Sequence, residues 1–92
     1  MSEASRLALI RRRLEDGFAP LRLEVRDESH LHAGHAGARS GRGHFRVTVV
    51  SDRFAGQAPL ARHRAVYAAL GELMQTDIHA LTITALTPAE TA

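Results

Sequence analysis

Two stretches of strict alternation constrain what this chain can become. Leu21, Leu23 and Val25 alternate with Arg22, Glu24 and Arg26, and Phe45, Val47 and Val49 repeat the pattern within the segment from His44 to Val50. Successive side chains of a strand point to opposite faces, so each stretch predicts a strand with one buried face. The segment between them, about Glu28 to Gly43, holds Gly34, Gly37, Gly41 and Gly43 together with His30, His32 and His35, and it is too long for a tight hairpin. Connections of this length inside a compact domain tend to be functional or disordered. The expectation is an antiparallel pair joined by the most mobile internal segment of the chain.

Helical periodicity flanks the pair. From Glu3 to Asp16 the apolar residues Leu7, Ile10 and Leu14 recur at helical spacing, with Ser2 placed to cap the start and Gly17 placed to end it in a left-handed turn. Arg11, Arg12 and Arg13 fall partly on the solvent face, where a charge run serves solubility. Pro59 opens a second long helix with apolar positions Leu60, Val66, Tyr67, Leu70, Leu73 and Met74, ending near Thr76. Leu81, Ile83 and Ala85 alternate with Thr82 and Thr84 in a third strand, which a right-handed crossover makes parallel to the second. The stretch from Thr87 to Glu90 reads as the start of a terminal helix. The predicted fold is α+β, in the order α-β-β-α-β(-α), with helices on one face of a small three-stranded mixed sheet, an order like the type II KH topology. Residues 1–92 form a single domain, since a chain this short has one core at most.

Composition excludes several classes of function. With 45% hydrophobic and 24% charged residues the chain has the balance of a folded domain. Its basic residues are all Arg, so the pI of 10.4 reflects guanidinium groups while the net charge is only +2, and nucleic-acid binding is not read from the pI. There is no cysteine, which excludes disulfides, a thiol nucleophile and a cluster or zinc site built from the chain's own thiolates. No run approaches the roughly 20 apolar residues that cross a bilayer, and residues 1–6 carry no apolar signal core, so a cytoplasmic protein is expected.

Six histidines are the sharpest chemical signal, three of them in His30-Leu31-His32-Ala33-Gly34-His35. Neutral imidazole binds borderline metals, and a glycine-rich loop can bring two rings onto one ion. Read alone, such histidines more often serve solubility, and the spacing matches no zinc motif. His63 projects toward the apolar stripe of its helix, His44 opens the second strand, and both take a structural reading. His79 stands at the mouth of the third strand, placed to reach a ligand beyond the sheet's end. Ser29 and Ser51 have no nucleophile elbow, so no enzyme is expected. Gly34-His35-Ala36-Gly37 has the GxxG form of a KH clamp but lies between strands instead of helices, and four aromatic residues leave few stacking platforms for RNA.

Five ordered motifs resemble the BolA family: Asp27-Glu28-Ser29, His44-Phe45-Arg46-Val47, Val50-Ser51-Asp52-Arg53-Phe54-Ala55-Gly56, Arg62-His63-Arg64-Ala65-Val66-Tyr67 and Ile78-His79-Ala80-Leu81. The resemblance covers nearly the whole chain. It implies a partner, a monothiol glutaredoxin, and a cofactor, a [2Fe–2S] cluster shared with the glutaredoxin thiolate and glutathione. The ligands it implies on this chain are His79 and a histidine of the loop between the first two strands, His32 by its offset from Glu28-Ser29, with His35 or His30 as the alternative. Two imidazoles on one iron is the Rieske pattern. The family also implies a second class of function, transcriptional regulation through double-stranded DNA, for which Arg53, Arg62 and Arg64 are the phosphate-contacting candidates; salt bridges to Asp52 or Glu72 are their structural alternative. Whether the free protein is a monomer or a homodimer stays open at this point.

Overall fold

The computed structural model describes residues 3–29 and 42–91. Ser2, the histidines at 30, 32 and 35, the GxxG stretch and the mobility expected of that segment lie outside the described residues. Helix α1 runs from Glu3 to Phe18 and buries Ile10, Leu14 and Phe18, spaced one turn apart along a single stripe. Gly17 does not end it. A Cβ at Gly17 would stand 3.3 Å from the Cβ of Ala69, so the glycine is where two helices approach closely. The left-handed residue is Ala19, with φ 44°, and its N–H donates to the Glu15 carbonyl at 3.0 Å.

Strands β1 (Arg22–Asp27), β2 (Gly43–Val50) and β3 (Ile78–Leu86) form one sheet in that order, β1 antiparallel and β3 parallel to the central β2. The alternation in β2 is kept in three dimensions: Phe45, Val47 and Val49 are buried against the helices while Arg46 is exposed. Leu21 lies just before β1 and stays exposed. After β2, Ser51 caps a 3-10 turn at Asp52–Phe54: its hydroxyl donates to the Phe18 carbonyl at 2.6 Å and accepts the Arg53 N–H. Phe54 is thereby sealed in the core beside Phe18, with ring centroids 4.9 Å apart.

The crossover helix is shorter than its sequence suggests. Helix α2 spans Pro59–Leu70 and stops because Gly71 adopts φ 54°, after which a single turn, α3 (Leu73–Thr76), leads into β3. Arg62, Val66 and Leu70 face inward at four-residue spacing, which leaves Leu60 62% and Tyr67 42% exposed, contrary to the stripe expected for them. The chain closes in a second 3-10 turn, Pro88–Thr91, where an α-helix was expected. There the Glu90 carboxylate turns back to accept the Thr87 N–H at 2.7 Å and the Arg62 guanidinium at 2.6 Å.

Candidate metal-ligand site at the starts of β2 and β3

Because β2 and β3 are parallel neighbours, their first residues lie at the same end of the sheet. The pairing there is irregular: Gly43 is opposite Ile78, but His44 is opposite Ala80, so His79 is an extra residue in β3. Such a bulge re-aims the unpaired side chain. Ile78 goes fully into the core, His79 is exposed, and its ring lies 5.2 Å from that of half-buried His44, centroid to centroid, at 53°.

The backbone around these two rings is pinned from several sides. The Arg42 guanidinium donates to the carbonyls of Met74 at 2.9 Å and Ile78 at 2.8 Å, tying the residue before β2 to the two ends of the segment that leads into His79. Gly43 donates its N–H to the Asp77 carbonyl at 2.9 Å. Asp77 is itself buried, with its carboxylate 3.2 Å from Arg6 Nε and accepting the Thr76 hydroxyl at 2.6 Å. On the other flank, Ser29 Oγ accepts the His44 N–H at 3.1 Å, the His44 carbonyl accepts the Glu28 N–H at 2.8 Å, and Asp27 Oδ1 accepts the Ser29 N–H at 2.8 Å. The motif Asp27-Glu28-Ser29 is thus a clasp on His44 at the start of β2. Residues 29 and 42, where the segment that carries His30, His32 and His35 leaves and rejoins the described structure, both meet the site.

The sequence-derived candidates therefore divide. His79 stands where expected; His32 and His35 lie outside the described residues. His44, given a structural reading above, is brought beside His79, a juxtaposition invisible without the register and its bulge. Of the three arginines, Arg62 is 9% exposed and committed inward: it donates to the carbonyls of Gln57 and Ala85, pairs with Glu90, and lies 6.0 Å from the Phe54 ring centroid. Its placement corrects the phosphate-contacting expectation for Arg62 and the alternative partners Asp52 and Glu72, because the C-terminal turn supplies the carboxylate. Glu72 instead pairs with Arg13, which also donates to the Leu70 carbonyl at the end of α2, so the arginine run does more than solvate a helix face. Arg64 is exposed, and exposed Arg53 donates to the Gly17 carbonyl.

A family model described as BolA-like protein matches residues 14–90, a span containing every strand and the whole site. The chain belongs to the BolA-like family. It is 51% identical over 83 residues to BolA-like protein 1 of Mus musculus, covering 90% of this chain and 58% of that protein, so it spans little more than half of that relative's length. It is 46% identical over 79 residues to the DNA-binding transcriptional regulator BolA of Escherichia coli (strain K12), covering 82% of this chain and 72% of that one. Among solved structures, the BolA domain of SufE1 from Arabidopsis thaliana superposes with a TM-score of 0.85 at 43% identity, covering 97% of this chain and 99% of that one. The α+β order and mixed sheet are thus those of BolA domains. No helix among the described residues is long and apolar enough to cross a membrane.

Proposed function

We propose that this BolA-like chain is a non-enzymatic cytoplasmic adaptor for iron–sulfur trafficking or iron regulation. It pairs with a monothiol glutaredoxin and offers His79 and one loop histidine, His32 or else His35 or His30, to a shared [2Fe–2S] cluster. The observation that carries the reading is the exposed His79 imidazole, which follows an Asp77-Ile78 backbone bonded to Gly43 and Arg42 at the start of β2. The donor set fits: a chain without cysteine has no thiolate to give, and imidazole on iron raises a cluster's potential relative to thiolate. When bound, the cluster supplies electron and iron chemistry. The chain's own residues would bind and orient: His79 would present a ring nitrogen, Arg42 fixes the Ile78 carbonyl just before it, and Ser29, held by Asp27, fixes the start of β2 at His44.

The test is electron paramagnetic resonance of the reduced complex after anaerobic co-expression with a monothiol glutaredoxin. His79→Ala is expected to remove the nitrogen-ligated signal while leaving the fold intact, since an exposed side chain away from capping or buried networks contributes within about 0.5 kcal/mol. His32→Ala is expected to do the same unless His30 or His35 substitutes, which the triple loop variant resolves. Identical spectra for the parent, the His79 variant and the triple variant sink the proposal. DNA binding is the second reading, supported by the similarity to the Escherichia coli DNA-binding transcriptional regulator BolA and by the exposure of Arg53 and Arg64.

A further inference from the structure

We infer that the open edge of β3 is a self-pairing surface: two copies of this chain join their β3 strands antiparallel, about a two-fold axis at Thr82, into one continuous six-stranded sheet. Dimerisation of this kind requires neither iron nor a glutaredoxin, so it stands whether or not the cluster reading does.

The direction of the backbone groups in the two outer strands defines the edges. Alternate residues of a strand offer their N–H and C=O to opposite sides. The Leu86 carbonyl accepts the Ser51 N–H at 2.9 Å, which turns Leu86, Thr84 and Thr82 toward β2. Leu81, Ile83 and Ala85 therefore turn outward, and the Arg62 guanidinium reaches the Ala85 carbonyl there at 3.1 Å. At the other edge Glu28 donates to the His44 carbonyl, so Leu23 and Val25, of opposite parity, turn outward from β1. Arg11 covers the Leu23 carbonyl at 3.4 Å. Each edge is thus capped at one carbonyl by an arginine from a helix.

The two edges differ in what guards the remainder. β1 carries Arg22, Glu24, Arg26 and Asp27, the kind of charged side chains that keep a sheet edge from pairing with another chain. β3 has no Asp, Glu, Lys or Arg over its nine residues, and Thr82 and Thr84 stand exposed on its outer face. With Ala85 held by Arg62, the open window consists of the N–H and C=O of Leu81 and Ile83, which no other hydrogen bond among the described residues reaches.

That window is complementary to its own image. Antiparallel pairing centred on Thr82 sets Leu81 opposite the partner's Ile83 and Ile83 opposite the partner's Leu81, two hydrogen-bonded pairs that satisfy all the exposed groups of both copies. Centring on Ile83 instead would need the Ala85 carbonyl that Arg62 already holds. Leu81 and Ile83 are half-buried on the helix-covered face, so each gains an apolar counterpart, while Thr82 meets Thr82 across the axis with Cα atoms about 4.5 Å apart. No like charges are opposed, and the isologous contact closes at two copies.

The experiment is sedimentation velocity with amide hydrogen exchange on the full chain, at concentrations up to about 1 mM. Rising concentration is expected to convert a species of 10.0 kDa into one of twice that mass. Exchange should slow at the Leu81 and Ile83 amides while the outward Val25 amide of β1 keeps its rate. Thr82→Lys sets two ammonium groups against each other at the axis and is expected to weaken dimerisation by about tenfold or more, while the exposed position leaves the monomer folded. Mixing that variant with Thr82→Glu should restore a dimer containing one copy of each. A chain that stays monomeric at about 1 mM, a dimer indifferent to Thr82→Lys, or protection at Val25 in place of Leu81 and Ile83 overturns the inference.

Discussion

Among the described glycines, Gly43 has the least room for a side chain. A Cβ there would meet the Phe45 ring and Ser29 Oγ at 2.7 Å, both inside the closest approach that real side chains make. Gly43→Ala is therefore expected to destabilise the fold by about 1–3 kcal/mol, through displacement of a core ring or of the Ser29 clasp. Urea unfolding checks it, and an unchanged midpoint would show that Phe45 and Ser29 can both yield. At this scale the sequence was informative about His79, because its motif and its place before an alternating strand agree. It read His44 only as structural, since no local pattern reveals an extra residue in a strand more than thirty positions away. It misled about Arg62, whose helix position was read without knowledge that a carboxylate from the chain's end would lie over it.

Among the elements, the C-terminal turn shows how a short piece of structure is held by charge. The Thr87 N–H, followed by the Arg62 guanidinium, holds the Glu90 carboxyl down at about 2, against an ordinary value of 4.5. A carboxyl depressed in the folded state contributes stability that is fully present above its unfolded value and is lost as pH falls toward the folded one. The turn is thus expected to loosen between about pH 4.5 and pH 2, and Glu90→Gln should flatten the pH dependence of stability over that window. Equal slopes for parent and variant, measured by denaturation across the window, would remove the carboxylate from the account. The strands and both long helices were legible from periodicity, although Leu21, Leu60 and Tyr67 fall outside the buried stripes that the pattern assigned to them. The end of α2 was not, because the apolar spacing continues through Leu73 and Met74 and only the positive φ of Gly71 breaks the helix. The closing 3-10 turn was equally hidden, being defined by a long-range partner.

At the scale of the whole molecule, the sheet order and the parallel pairing of β2 with β3 followed from the crossover rule, and with them the meeting of the two strand starts. The same view separates the arginines. Arg62→Ala is expected to lower the urea midpoint, because it leaves two carbonyls and Glu90 without a shared donor, whereas Arg64→Ala should stay within about 0.5 kcal/mol of the parent. If the chain binds duplex DNA, Arg53→Ala and Arg64→Ala should each reduce the salt slope of binding by about one, and any affinity lost with Arg62→Ala should track the unfolded fraction. An Arg62 variant that is fully folded yet loses affinity would return that residue to the interface.

The extra residue in β3 has a consequence for how such a domain can change over generations. On either side of position 79 the ladder reads its residues in pairs, Gly43 with Ile78 and His44 with Ala80, and each pair limits what the other can become. Position 79 has no cross-strand counterpart. Its side chain is the one letter of β3 that the sheet does not proofread, so the donor displayed there is open to exchange by a single substitution without rewriting the scaffold that presents it.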